Sequence, residues 1–346
     1  MKIAVYGASG FTGRLVVAEL AHRGIGAVLV GRDAERLQRV ADAEVRQAPL
    51  EHAALVRAFR GCAAVINCAG PFSLLGEPVL RAADAASCHY VDIAGEQTYL
   101  ARLFEGPGPD VSAVPGVNDD GLPSDLLAHL VAGRVGSVRE LVIGLDLVRG
   151  GGAPSRGTLR SALANLDTFT AGGLGYADGR WDPDLPARRT TMAFLGAAVP
   201  VVKFPLPAVV TVPHHVAAGR VEGVARPELV AGFAGVTPEL VEQLPEGPAE
   251  SHRRAGRWII AVEAVGDEGR ARGVVHGADT YGTTAVTAVE AARRLVADGA
   301  APGLLAPAQA FDAADFLAFL ETRGVTVDGV RPPRSRSSSA GPRDRT

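Results

Sequence analysis

Lys2-Ile3-Ala4-Val5-Tyr6 runs directly into Gly7-Ala8-Ser9-Gly10-Phe11-Thr12-Gly13, and Arg14 to Arg23 continues with helical periodicity. A short apolar strand, a glycine-rich turn and a helix, in that order, open a βαβ unit. The alternation persists outward from this point. Further strand patterns fall at Ala27–Val30, Ala63–Cys68, Tyr90–Ile93 and near Val111–Pro115. Helical patterns lie at Glu35–Ala43, His52–Arg60, Glu77–Ala86 and Leu122–Ala132. Short β-rich runs separated by helices imply right-handed crossovers and a doubly wound parallel sheet, hence an α/β fold.

The texture changes after Glu140. Glu140–Val148 reads as a strand, followed by Gly150-Gly151-Gly152, a helix over Thr158–Thr168, and a long stretch punctuated by proline and glycine to about Val212. Arg257–Val265 and Arg270–Gly277 flank Gly266-Asp267-Glu268-Gly269, which has the chemistry of a hairpin turn. This middle portion reads as an inserted α+β domain with a mainly antiparallel sheet. Thr280–Ala297 is a strong amphipathic helix with Thr280 a plausible N-cap. Asp312–Arg323 is a second helix, capped by Asp312 and stopped by Gly324. The tail PPRSRSSSAGPRDRT after Arg331 carries no large apolar residue and reads as disordered.

The Gly7–Gly13 loop is also the sharpest functional motif. Glycines allow the tight turn and the close approach of backbone to a pyrophosphate, and the helix start offers free N–H groups with the positive end of its dipole. Gly7, Ser9, Gly10, Phe11, Thr12 and Gly13 are therefore candidate cofactor contacts. The second strand ends Leu29-Val30-Gly31-Arg32-Asp33. An acidic residue at that tip selects the ribose hydroxyl of NAD. An arginine, with its planar fork of donors, suits the 2′-phosphate of NADP(H). Arg32 points to NADP(H), and Asp33 reads equally as a cap of the next helix. Asn67-Cys68-Ala69-Gly70-Pro71-Phe72 follows the next apolar strand and is expected to run along the cofactor.

Other chemistries are disfavoured. None of Tyr6, Tyr90, Tyr99, Tyr176 or Tyr281 has a lysine four residues on, as a Tyr-x-x-x-Lys reductase requires. No cysteine follows Cys88, so thiol catalysis from the second domain is out. Cys62, Cys68 and Cys88 match no metal or redox spacing, and their odd number argues against a disulfide framework. His214-His215 lacks a carboxylate cluster, so no metal is expected. A formal net charge of −3 gives no basic surface for nucleic acid. The apolar stretch Ala193–Val202 is too short to span a membrane, and the start of the chain leaves no room for a signal peptide. A cytoplasmic location is expected, and the apolar antiparallel sheet offers a face for a homodimer.

Taken jointly, YGASGFTGRLV, LVGRDAERL, VINCAGPFSLLGEPVLRAA, HYVDIAGE, GVNDDGLPSDLLAHLVA and DTYGTTAVTAVEAARRL resemble the saccharopine dehydrogenase-like reductases, which include trans-acting enoyl reductases. The resemblance runs from Met1 to about Asp328 and is weakest from Gly150 to Arg254. It implies a Rossmann-type domain over residues 1–136 that binds NADP(H), and an α+β substrate and dimerisation domain over 137–278. Helices returning to the first domain follow over 279–330, and the tail occupies 331–346. By that likeness Gly7, Gly10, Gly13 and Arg32 hold the cofactor, Asn67–Phe72 lines it, and Asp92, Gly95 and Glu96 lie beside the nicotinamide end. Val117-Asn118-Asp119-Asp120-Gly121-Leu122 departs from the family's Phe-Asp at that point.

Hydride transfer asks the protein for orientation, a shielded site and a proton donor. The candidate donors are Tyr90, Asp92, Glu96 and Tyr99 near the strand tips, with Asp279, Thr280 and Tyr281 at the start of the returning helix. The bland readings are that Asp92 only caps and Tyr281 only packs. The expectation is an NADPH-dependent reductase, with a place in a biosynthetic pathway among the readings, acting on a C=N, C=C or C=O bond of a small metabolite. The alternative is a non-catalytic NADP(H)-binding sensor or scaffold.

Overall fold

The computed structural model describes residues 1–148, 154–233 and 235–330. The triple glycine and the tail named above lie outside the described residues. The first part of the chain supplies β1 (Lys2–Tyr6), β2 (Gly26–Gly31), β3 (Glu44–Gln47), β4 (Ala64–Asn67), β5 (His89–Asp92) and β6 (Ser112–Val114). They lie in the order β6-β5-β4-β1-β2-β3, every pairing parallel. Successive side chains of a strand point to opposite faces. Ile3 and Val5 accordingly enter one core, Ala4 and Tyr6 another, one on each side of the sheet. With both faces covered, β1 has to be apolar from Ile3 onward, which is why Ile3-Ala4-Val5 reads as a continuous run. Each fully buried aliphatic side chain of this kind contributes about 1.5–3 kcal/mol.

The second part contributes β7 (Val138–Val148), β8 (Gly175–Ala177), β9 (Arg180–Asp182), a small hairpin of β10 (Thr191–Ala193) and β11 (Ala198–Pro200), and β12 (Val202–Lys203). After these come β13 (Arg220–Ala225), β14 (Arg257–Gly266) and β15 (Gly269–Ala278). The order is β15-β14-β7-β13-β8-β9, antiparallel except for β7 with β13. β14 and β15 form the hairpin expected from their turn, paired from Arg257 with Ala278 to Gly266 with Gly269. The end of the chain stitches the two sheets together. β16 (Gly303–Leu304) joins the first sheet beside β6, and β17 (Thr326–Asp328) joins the second beside β15. The two-sheet architecture expected from the sequence is thus present.

The helix Leu122–Ala132 links the sheets. Leu126, Leu127 and Val131 share one core with Leu141 and Ile143 of β7 and with Ile260 and Val262 of β14. Gly273 of β15 leaves room for this helix: a Cβ there would stand 2.7 Å from the Leu127 side chain. The opposite face of the second sheet is not bare, because Met192 and Phe194 of the small hairpin cover Val142, Val224, Ile259 and Val274. That covering removes much of the apolar surface on which the homodimer expectation rested. The helix Phe11–His22 packs beside Thr280–Ala297, and Arg23 reaches the buried Glu290 at 2.6 Å. The N-cap of the latter helix is Asp279, not Thr280: its carboxylate accepts from the Gly282 amide at 2.8 Å. Among the described residues, no helix is long and apolar enough to cross a membrane.

Candidate functional site

Because the first sheet is wholly parallel, the segments that follow β1, β2, β4, β5 and β6 all emerge at one edge. Gly7 sits at φ +79°, its amide bonded to the Val30 carbonyl at 2.9 Å. A Cβ on Gly13 would stand 2.2 Å from the Gly7 carbonyl oxygen, so the third glycine is required for the helix to start so close to the strand. The helix Phe11–His22 has no side-chain cap, and Gly10 before it is exposed and extended. Uncapped first-turn amides are anion-binding groups. A Cβ on Gly7 would lie 3.1 Å from Ala69, so the glycine loop and the loop after β4 touch. The residues present therefore fit a dinucleotide whose pyrophosphate rests on this turn, with Ser9, Phe11 and Thr12 half-buried around it.

Three arginines, Arg14, Arg32 and Arg36, belong to the segments that follow β1 and β2. Arg32 is exposed and forms no ion pair among the described residues, while its carbonyl is held by Gln47 at 2.9 Å. Arg36 follows Asp33, which caps its amide at 3.0 Å, so Asp33 has the capping role. Arg14 bonds the Ser9 carbonyl at 2.8 Å. Arg14 and Arg36 both donate to Glu246, at 2.8 and 2.7 Å. The pairing brings a carboxylate from the second domain onto the nucleotide edge. Arg14, Arg36 and Glu246 were missed in the sequence, because their meeting spans more than two hundred residues.

The loop after β4 is built from below. Asn67 is fully buried; its Oδ1 accepts from the Ala69 amide and its Nδ2 donates to the Tyr90 hydroxyl, both at 3.0 Å. Cys68, Ala69, Gly70 and Pro71 are half-buried, and Phe72 packs against Tyr99. Gly70-Pro71 is a cis peptide. Burial pushes the Cys68 thiol up, so it stays protonated at neutral pH.

Tyr90 and Asp92 face one another inside the protein. Asp92 Oδ1 accepts from the Ala94 and Gly116 amides at 3.0 and 2.9 Å, and Oδ2 from the Tyr90 and Tyr99 hydroxyls at 3.0 and 2.8 Å. All three side chains are fully buried. Glu96 accepts from the Phe72 and Ser73 amides, both at 2.7 Å, and from Asn165 Nδ2 at 2.8 Å. It thereby caps the helix Phe72–Ala85 from outside and ties it to the second domain. The Tyr281 hydroxyl accepts from the Ser155 amide at 2.7 Å, and its ring stands edge-on to Phe11 with centroids 5.0 Å apart.

The second domain closes over this edge. A Cβ on Gly70 would meet Ser161 Oγ at 3.0 Å, which puts the helix Arg156–Ala164 against the loop after β4. The segment after β6 brings Asp119 and Asp120 to the same edge, and Thr284 of the returning helix donates to Asp119 Oδ1 at 2.9 Å. Burial, with the neighbouring Asp120 charge, pushes Asp119 up to about 8. Burial pushes Asp120 up to about 6.

Residues 7–92 match the NAD(P)H-binding family. A provisionally named trans-acting enoyl reductase of Mycobacterium tuberculosis is 32% identical over 185 residues, 48% of this chain and 44% of that protein. The chain has saccharopine dehydrogenase-like relatives. The human saccharopine dehydrogenase-like oxidoreductase is 31% identical over 155 residues, 36% of this chain and 35% of its own length. The resemblance read from the motifs is thus borne out, and the matches span less than half the length of either relative. Apo saccharopine dehydrogenase (L-Glu forming) from Saccharomyces cerevisiae superposes with a TM-score of 0.60 at 13% identity, covering 94% of this chain and 99% of that one. That likeness establishes the shared fold.

Proposed function

We propose that the chain is an NADP(H)-dependent reductase that delivers hydride to a C=N, C=C or C=O bond of a small metabolite held between the two sheets. The observation that carries this reading is the meeting of Arg14 and Arg36 on one carboxylate beside an uncapped glycine turn, with Arg32 exposed directly after β2. Guanidinium groups there favour a terminal 2′-phosphate over a bare ribose hydroxyl. When bound, the nicotinamide supplies the hydride.

The chain's own residues have distinct parts in this reading. Gly7, Gly10 and Gly13 shape the pyrophosphate turn, and Asn67–Phe72 lines the cofactor. Tyr90, Asp92 and Glu96 are positioning residues, since their polar atoms are already engaged by hydroxyls and amides of the loops they support. The proton for the product is assigned to Asp119, which holds a proton near neutral pH at the same edge. Tyr281 and Phe11 wall the cleft on the far side.

Titration of the purified chain with NADPH and NADH tests the cofactor assignment. NADPH is expected to bind more tightly, and Arg32→Ala and Arg36→Ala to remove at least part of that preference. Equal affinities, unchanged in both variants, would sink it. NADPH oxidation with imines, enones and ketones then tests turnover. The engagement of Tyr90, Asp92 and Glu96 in internal bonds favours a second reading, an NADP(H)-binding sensor. Tight cofactor binding without turnover of any of these substrates would support it.

A further inference from the structure

We propose that Glu246 is an internal competitor for the cofactor's 2′-phosphate, so that its carboxylate sets how strongly the chain prefers NADPH over NADH. The inference rests on the nucleotide reading above and deepens it.

Glu246 lies on the stretch Leu244-Pro245-Glu246-Gly247-Pro248, between the helices Pro238–Gln243 and Glu250–Ala255. Three contacts hold this strap over the nucleotide edge. The Glu246 carbonyl accepts from the Arg156 amide at 3.1 Å. Gly247 lies flat on Phe11, and a Cβ there would stand 2.4 Å from its ring. The Glu246 carboxylate divides itself between the two arginines, Oε2 with Arg14 and Oε1 with Arg36. Pro245 and Pro248 stiffen the strap on either side.

A carboxylate and a phosphate present guanidinium donors with the same kind of acceptor, so the two anions compete for one place. The competition is not the same for both cofactors. NADPH brings a phosphate at the 2′ position, which both needs the arginines and repels Glu246. NADH brings a hydroxyl, which displaces nothing and donates to a carboxylate. Arg32, left free of ion pairs among the described residues, is the cation on which the phosphate first lands. The arginine pairing holds the Glu246 carboxyl below the usual carboxylate range, so it is ionised wherever the enzyme works. Each ion pair is partly exposed and weak, which keeps the strap displaceable.

The test compares wild type, Glu246→Gln and a control, Glu242→Gln, by fluorescence titration with NADPH and NADH at one ionic strength. Glu242 pairs with Arg156 and Arg160 rather than with Arg14 or Arg36. The expected result is a roughly three- to tenfold lower Kd for NADPH in Glu246→Gln. NADH affinity should stay level or weaken, and the control should match wild type. Weaker NADPH binding would overturn the proposal, because Glu246 would then be aligning the arginines. Equal tightening toward both cofactors would also overturn it, since the strap would gate the whole dinucleotide. No change in either would do the same. If wild type binds neither cofactor, the nucleotide reading itself falls and this inference with it. Any result in the Glu246 variant alone leaves that reading standing.

Discussion

The Glu96 carboxylate takes the Phe72 amide at 2.7 Å, capping a helix that begins 24 residues earlier in the chain. With Ser73 and Asn165 it makes three charge-assisted bonds, roughly twice as strong individually as neutral ones. Glu96→Ala strips two helix-start amides of their acceptor inside a buried site. The expected cost is about 1–3 kcal/mol, read as a lower midpoint in urea unfolding. Cofactor affinity should fall with it, because the loop Asn67–Phe72 loses its anchor. Glu96→Gln, which keeps one acceptor oxygen, should fall between. A Glu96→Gln variant with wild-type stability and no turnover would instead mark Glu96 as the proton donor.

Asp92 separates support from catalysis in the same way. Its two oxygens satisfy four donors, two of them buried tyrosine hydroxyls that among the described residues otherwise have only each other to donate to, at 3.5 Å. Truncation to alanine leaves two amides and at least one hydroxyl buried without an acceptor, a loss of about 1–3 kcal/mol or more. Circular dichroism melts of Asp92→Ala and Asp92→Asn check this. Should both melt like wild type while activity vanishes, Asp92 belongs with the reacting groups.

The glycine loop carries a sharper steric prediction. Gly13→Ala pushes a methyl onto the Gly7 carbonyl oxygen, a backbone atom that cannot swing aside. Overpacking of this kind costs typically 1–3 kcal/mol. Here it also displaces the turn on which a pyrophosphate would rest, so NADPH binding should weaken by at least about tenfold. Gly24→Ala is the comparison: it strains a φ of +65° with nothing within 4 Å, and should lower stability without touching cofactor affinity.

How much of this was legible from sequence depends on the range of each contact. β1, β2, β4 and β5 announce themselves because they are buried on both faces and must be apolar. β3 does not: Glu44-Val45-Arg46-Gln47 is an edge strand whose side chains reach solvent and Lys2. The short strands β8 to β12 hide in a region punctuated by proline and glycine, since their order comes from pairing with β13 and one another, not from their own pattern. The site divides likewise. The glycines and Arg32 belong to a local motif, and the loop after β4 follows from strand position. Tyr90 and Asp92 stand at a strand tip where ligands gather, yet their side chains turn inward. Nothing local distinguishes that from the outward choice. Glu246 meets Arg14 across 232 positions, beyond reach of any spacing rule.

The acidic pair after β6 makes stability itself depend on pH. Asp119 has its carboxyl raised from the ordinary 3.8 to about 8 by burial and by Asp120. Between those values the folded chain holds a proton that the unfolded chain has released, so folding takes up a proton. Stability from this group is therefore greatest below about pH 4 and declines as pH climbs toward about 8. Asp119→Asn cannot ionise, and its amide oxygen still accepts from Thr284. It should melt higher than wild type at pH 7.5, melt alike at pH 4, and show a flatter slope between. The same substitution separates proton donation from structure. If Asp119 supplies the proton, wild-type turnover falls as pH rises past about 8, while Asp119→Asn is slow throughout and lacks that limb. A variant that gains stability and keeps both turnover and the alkaline limb would remove Asp119 from the chemistry. The charge buried at the sheet edge would then be a cost the fold carries for some other reason.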